Sequence, residues 1–375
     1  MIRDPWHFER GEFTERIITL LAEGPAQALT LFAPRRTGKT EFLLKDLAPL
    51  AEKGGHRVIY ASFWQAPLSP LAVLLHALET SQRQGSFMDR MRNSATALGP
   101  RLKLSAPLPG ADVAAEIDLT ALKGKPPGEL LLHLDDLLGR VSRRRKATLL
   151  LLDEVQELAR IRGNASLVAA LRTSLDKRAE RLRVVFTGSS REGLAAMFSA
   201  RQAPFFHFAT PIMLPALGEP FVDHVLDTFE KVSQRALKRN EMLSAFERLH
   251  ANPYFFRVLI ETMLHDPDLS AGSALEQIRD RLAVDLGYPK TWLALTAIQR
   301  AVAQALAHGA DRPFGQEFRR ALGVALGEDV PSPGRVQAAL RRLERLGLAD
   351  NQASVWTLTD PEFAAWIRDN HETES

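Results

Sequence analysis

The sequence predicts an α/β protein: a five-stranded parallel sheet with helices on both faces, followed by two smaller, mainly helical domains. Three observations predict it. Five short apolar runs alternate with amphipathic stretches through the first 217 residues. One run leads into a loop ending in Gly-Lys-Thr, and another ends in an acidic pair. From about residue 218 the strand pattern stops and helical periodicity takes over.

The runs "ALTLFA" (28–33), "RVIYASFW" (57–64), "ATLLLLDE" (147–154), "RVVFTGS" (183–189) and "FHFATPIML" (206–214) read as buried strands. Their continuous apolar character suits a sheet covered on both faces. Between them, "EFLLKDLAPLAEKG" and "SLVAALRTSLDKRAERL" read as helices. The interval of about residues 82–146 reads as an insertion, with "RLKLSAPLPGADVAAEIDL" folding as a hairpin about Pro109-Gly110. These elements make up a first domain over 1–217. Residues 218–290 read as a small helical domain, with helices in "EPFVDHVLDTFEKVSQRAL" and "EMLSAFERLHANPYFFRVLIETML". Residues 291–375 follow with "WLALTAIQRAVAQALAHG", "GQEFRRALGVALG", "GRVQAALRRLERLGL" and then "ADNQASVWTLT". Three helices and a short two-stranded wing are the order of a winged helix-turn-helix. The tail "HETES" is expected to fray.

Composition narrows the chemistry. Of 375 residues, 45% are apolar and 25% charged, the balance of a globular protein with a sizeable core. A net charge of +3 is too weak to argue for nucleic acid, so the placement of basic residues must decide. The chain has no cysteine, which excludes disulfides, thiol catalysis and thiolate zinc sites. The opening "MIRDPWHFERGEF" lacks the apolar core of a signal peptide, and no apolar run is long enough to cross a bilayer. The expectation is a soluble, cytoplasmic protein with no membrane partner.

From Ala33 the chain reads A-P-R-R-T-G-K-T, the phosphate-loop spacing with Ala33 in place of the leading glycine. A strand precedes it and an amphipathic helix follows. Ala33, Pro34, Arg35, Arg36, Thr37, Gly38, Lys39, Thr40 and Glu41 are therefore expected to surround a nucleotide phosphate tail. Backbone N–H groups and the helix N-terminus supply positive potential. Lys39 would reach the β/γ-phosphates, the Thr40 hydroxyl would bind Mg²⁺, and Gly38 would admit close backbone approach. Alanine at position 33 costs little provided its φ is negative.

The run "ATLLLLDEVQEL" sets Asp153 and Glu154 at a strand end. Phosphoryl transfer needs one carboxylate near the metal and a second group to position or deprotonate the attacking water. Asp153 is assigned to the metal side and Glu154 to the water. In "FTGSSR" a hydroxyl could hold that water or touch the γ-phosphate, with Ser189 first and Thr187 next.

The order "APRRTGKT", "LLLLDE", "TGSS", "ANPYFF" and a terminal winged helix resembles the AAA+/STAND-like branch of P-loop ATPases. It is similar to the archaeal-type ATPase group and, more distantly, to initiator ATPases carrying a winged helix. The resemblance implies a five-stranded parallel core, a helical lid, and Mg-ATP bound between them. It implies that Pro253 lies near the adenine, that Arg257 is a lid arginine reaching the γ-phosphate, and that "FERGEF" lines the base pocket. Ala251 stands where the family motif usually has glycine. An arginine answering transition-state charge would be Arg191 or Arg201, or would come from a neighbouring copy in a homo-oligomer.

In "GRVQAALRRLERLGL", Val336, Ala339, Leu340, Leu343 and Leu346 recur at helical spacing, leaving Arg335, Arg341, Arg342 and Arg345 as a basic face. That face could meet double-stranded DNA, or the module could pack on a protein partner. "RRRK" (143–146) reads either as a second phosphate-tracking patch or as a solvated loop. The expected function is an ATP-hydrolysing regulatory or remodelling ATPase. The alternative is a nucleotide-stabilised scaffold with negligible turnover. A small-molecule kinase would share the phosphate loop, but the winged helix and the Asp-Glu pair speak against it.

Overall fold

The computed structural model describes residues 4–24, 27–34, 36–64, 69–83, 85–87, 89–90, 126–143, 145–160, 162–199, 201, 203–310, 313–352 and 355–371. The chain forms two compact units, Met1–Leu217 and Gly218–Ser375. Among the described residues no helix is long and apolar enough to cross a membrane.

The first unit is built on strands β1 (Ala28–Phe32), β2 (Arg57–Ser62), β3 (Thr148–Asp153), β4 (Leu182–Gly188) and β5 (Thr210–Met213). They form one sheet in the order β2-β3-β4-β1-β5, and every described pairing is parallel. The four-leucine run explains the two layers. Leu150 and Leu152 join Val184 and Phe186 in one core, under helices Pro70–Thr80, Pro127–Ser142 and Ala165–Asp176. Leu149 and Leu151 turn the other way, onto Ile17, Leu21, Phe42, Leu43 and Leu47. A strand that feeds both layers must be apolar at every position, and all six residues of β3 are buried.

Two expectations change here. Helix Pro127–Ser142, assigned by sequence to the insertion, buries Leu134, Leu137, Leu138 and Val141 in the main core. The proposed hairpin about Pro109-Gly110 lies outside the described residues. The fifth strand begins only at Thr210, because Phe205 and Phe208 leave the sheet and pack on Phe186 at ring distances of 5.2 and 6.2 Å. In the "FHFA" stretch Phe208 and Ala209 pack against the core and His207 is exposed, and none of the four residues is in the strand.

The second unit is helical with one antiparallel hairpin, β6 (Ala349–Gln352) and β7 (Val355–Leu358). Sequence periodicity suggested one helix over 241–264. The structure has two, Arg239–Arg248 and Pro253–His265. Between them His250 and Ala251 take φ of 53° and 51°, and the Asn252 side chain caps the second helix by accepting from the Tyr254 amide at 3.0 Å. The helix expected over 292–309 is likewise split at Thr296, whose capping box with Gln299 starts a new helix, Ala297–Ala307. One core joins Tyr288 and Trp292 to Val302, Leu340 and Phe363, so packing is continuous across residue 290, where the sequence suggested a boundary. A last helix, Pro361–Asn370, capped by Asp360, was not foreseen. Its continuation at His371 stacks on Trp292 at 4.4 Å, while the rest of "HETES" lies outside the described residues.

The left-handed backbone at Ala251 explains why glycine suits that position: a Cβ there costs about 1–2 kcal/mol. Ala251→Gly is expected to stabilise the second unit by about 1 kcal/mol, seen as a higher midpoint in chemical denaturation at unchanged slope.

Candidate functional site

The site lies at the C-terminal ends of β1, β3 and β4. Parallel strands converge there with the N-terminus of the helix that follows β1. That helix runs over 39–53, α-helical at Lys39–Glu41 and Ala48–Lys53 with a π-helical stretch at Phe42–Leu47. Before it the chain turns sharply: Arg36 has φ 64° and Gly38 has φ 86°. Ala33 is not among the positive-φ residues, so alanine in place of the leading glycine carries no backbone strain. Among the described residues, no carbonyl accepts from the amides of Gly38, Lys39 or Thr40. Three successive donors at a helix start are the makings of an anion cradle.

Lys39 is 6% exposed, and its ammonium lies 3.3 Å from the Ala33 carbonyl and 3.3 Å from Glu154 Oε1. Thr40 donates to Asp153 Oδ2 at 2.9 Å, across 113 residues of sequence. Thr187 on β4 donates to Asp153 Oδ1, and Tyr60 on β2 donates to Oδ2 at 3.1 Å. Burial, then the neighbouring Glu154 charge, push the Asp153 carboxyl up, while the hydroxyls and Lys39 pull it back only in part. Glu154 behaves oppositely. Burial raises it, but the Lys39 charge and the bonds from Gln156, Ser189 and Lys39 together hold it below the usual carboxylate range. Its Oε2 accepts from Ser189 Oγ at 2.8 Å and from the Gln156 amide. Such a carboxylate is a weak proton acceptor but a firm hydrogen-bond acceptor.

Glu154 reaches these partners because its own φ is 57°, breaking the strand alternation immediately after Asp153. The structure thus brings Lys39, Thr40, Asp153, Glu154 and Ser189 together. Thr187, the second choice beside Ser189, is fully buried on Asp153 instead. Arg35 lies outside the described residues. Arg191 opens helix Arg191–Phe198, and Arg201 is exposed in the turn beyond it. Pro253 is buried at the first position of its helix in the second unit, and Arg257 is half-buried one turn on. Arg335, Arg341, Arg342 and Arg345 are all exposed on helix Pro333–Arg345, with Arg335 paired to Glu328 at 2.7 Å. Leu346, expected in the core, is 44% exposed because it lies past the helix end.

Three contributors were not legible in the sequence. Arg10, 9% exposed, donates to the Thr37 carbonyl at 3.0 Å, and its amide donates to Asp46 Oδ2 at 3.2 Å. His7 bonds the other Asp46 oxygen, and Lys45 bridges Asp4 and Glu41 at 2.8 Å each. The segment containing "FERGEF" therefore braces the phosphate loop from outside. Gln156 is seated by two glycines: a Cβ on Gly193 would come within 2.5 Å of Gln156 Cβ, and one on Gly188 within 2.5 Å of its Oε1. Tyr60 belongs to no recognisable motif. Pairs of this kind have no sequence spacing to betray them.

Magnesium in a phosphate-loop site is held by few protein groups together with phosphate oxygens. Thr40 and Asp153, side by side at the loop, fit that role, and the unpaired amides fit a phosphate tail.

No protein-family model matches the chain, and no curated protein matches it in sequence. Among solved structures it is similar to the Walker-type ATPase paby2304 of Pyrococcus abyssi, at 18% identity and TM-score 0.66 over 96% of each chain. It is also similar to the ORC2 protein of Aeropyrum pernix in its ADP form, at 14% identity and TM-score 0.55, covering 97% of this chain and 93% of that one. At such identity the likeness shows the fold: a phosphate-loop sheet followed by a helical region and a winged hairpin, shared along the whole chain.

Gly193 lies inside a helix, where alanine ordinarily gains about 1 kcal/mol. Here Gly193→Ala is expected to destabilise the first unit by about 1–3 kcal/mol through overpacking on Gln156, measured by chemical denaturation.

Proposed function

We propose that the first unit binds Mg-ATP at the phosphate loop and hydrolyses it, and that the chain is a regulatory or remodelling ATPase. One observation carries the reading. The Thr40 hydroxyl and the Asp153 carboxylate meet at 2.9 Å at the helix start that follows the loop, with Lys39 and Glu154 beside them. The fold also supports it, since the Aeropyrum pernix ORC2 protein is described in ADP and ADPNP–ADP forms.

In this reading the amides from Gly38 to Thr40 and the Lys39 ammonium bind the phosphate tail. Arg10 keeps the Thr37 carbonyl turned outward, away from the phosphates. Thr40 and Asp153 hold magnesium, which when bound neutralises charge developing on the phosphoryl oxygens. Glu154, ionised and fixed by Ser189 and Gln156, orients the attacking water more than it pulls a proton from it. Arg191 and Arg201 are the in-chain candidates for transition-state charge.

Lys39→Ala is expected to weaken ATP binding at least about tenfold, by loss of a charge-assisted contact. Glu154→Gln should keep binding but lower phosphate release by about a hundredfold or more. Calorimetric titration and a steady-state phosphate assay separate the two effects. Background turnover in the wild type with intact Mg-ATP binding would favour the scaffold reading instead.

We further propose that the winged helix carries the nucleotide-dependent output to double-stranded DNA. Arg341, Arg342 and Arg345 are exposed, and none makes an ion pair among the described residues. Replacing all three by alanine is expected to reduce the slope of log K against log salt by about 2–3 in duplex binding. An unchanged slope would assign the module to a protein partner.

A further inference from the structure

Asp153 is 2% exposed, and its carboxylate is met by hydroxyls from three different elements. Thr187 comes from β4, Thr40 from the helix after the phosphate loop, and Tyr60 from β2. An ionised carboxylate only accepts, so hydroxyl donors on both oxygens favour the charged form against the burial that opposes it. The three hydroxyls are not equivalent. Thr187 occupies Oδ1. Thr40 and Tyr60 share Oδ2, the oxygen on the side of the phosphate loop.

Tyr60 does not stand directly opposite Asp153. In the β2–β3 register Asp153 faces Ser62, and Tyr60 faces Leu151, two residues back. The tyrosine ring packs with the Leu149 and Leu151 layer, and its length carries the hydroxyl forward to the carboxylate. A phenylalanine would fill the same apolar space without reaching Asp153. The phenol hydroxyl donates to Asp153 Oδ2 at 3.1 Å. Asp153 is thus clamped from both flanking strands, by Thr187 on one side and by Tyr60 on the other.

We propose that Tyr60 is a positioning residue for the magnesium side of the site: its hydroxyl sets the rotation of the Asp153 carboxylate so that Oδ2 stays turned toward Thr40. A freely rotating carboxylate would offer Oδ2 to the Thr40 side only part of the time. The Thr40 hydroxyl retains lone pairs for a cation while donating to Asp153, so the clamp leaves both cation ligands correctly turned. The inference rests on the Mg-ATP reading above and assigns a role within it to a residue outside every motif.

The test measures binding, not turnover. A slowly hydrolysed ATP analogue is titrated against wild type, Tyr60→Phe, Tyr60→Leu and Lys39→Ala, each with excess magnesium and with EDTA. The ratio of the two dissociation constants is the magnesium increment. Tyr60→Phe is expected to keep the EDTA affinity and to lose about tenfold of the increment, the size of one hydrogen bond to a charged group. Tyr60→Leu, which also lacks the hydroxyl, should lose the increment to a similar extent. Lys39→Ala should instead weaken both arms, since the lysine acts on phosphate directly. Circular dichroism and thermal midpoints report folding, and if Tyr60→Phe does not fold, Tyr60→Leu decides. A wild-type increment in folded Tyr60→Phe, or equal losses with and without magnesium, overturns the role of Tyr60 while leaving nucleotide binding standing. A wild type whose affinity ignores magnesium overturns both readings together.

Discussion

The first unit depends on solving one problem: two adjacent carboxylates, Asp153 and Glu154, are taken out of water at the end of a strand that is buried throughout. Isolated, such charges cost several kcal/mol each. The structure divides the compensation by chemistry. Asp153 receives neutral hydroxyls, which favour its ionised form without bringing a counter-charge. Glu154 receives the Lys39 ammonium and two further donors, so its charge is cancelled locally. An uncancelled, oriented anion beside a hydroxyl is what a hard cation seeks. A cancelled, rigid one suits holding a neutral water. The left-handed backbone at Glu154 separates the two environments, and it costs about 1–2 kcal/mol for a residue with a Cβ. Strain of that size persists only where surrounding contacts over-determine it.

Strands β1 to β4 were legible because they are fed from both faces, whereas β5, expected to be buried as well, is mostly exposed at the sheet edge. Unbroken apolar runs such as "TLLLL" have few other uses at that length, and the interleaving of Leu149 and Leu151 with Leu150 and Leu152 is the physical content of the pattern. The phosphate loop was legible because the backbone turn itself dictates Gly38, Lys39 and Thr40. What escaped was of two kinds. Helix breaks at Ala251 and Thr296 interrupt continuous helical periodicity, because the apolar stripe resumes in phase after the cap. Asn252 and Thr296 are cap residues that could have signalled the breaks. The contributions of Arg10, Tyr60 and Gln156 were hidden for another reason. Each acts through reach across elements, and only Gly188 and Gly193, as the seat for Gln156, leave any trace in the sequence.

The second unit shows the same logic applied to surfaces. Helix Pro333–Arg345 begins with a Ser332 cap accepting from Arg335 and a proline at its first position, and it buries Val336, Ala339, Leu340 and Leu343. With those four positions fixed inward, helical geometry forces the arginines outward as a group. Two of them, Arg342 and Arg345, lie in the last turn, where positive charge also complements the helix dipole. The basic stripe therefore has a structural benefit at its C-terminal end, and Arg341, outside that last turn, is the position where the benefit is smallest.

The missing leading glycine of the phosphate loop turns from a defect into an argument. Glycine is needed where φ is positive or a backbone must pass close by. Neither holds at Ala33, which lacks a positive φ and is 1% exposed within the core shared by Phe42 and Leu31. Its methyl group buries apolar surface that glycine would leave as a gap, while its carbonyl still accepts from Lys39. The loop carries its left-handed turns at Arg36 and Gly38 instead, directly before Lys39. Alanine at the head of the loop also narrows the conformations open to the unfolded chain. The substitution thus removes flexibility where none is used and keeps it at Gly38, whose backbone the Arg10 guanidinium braces from outside.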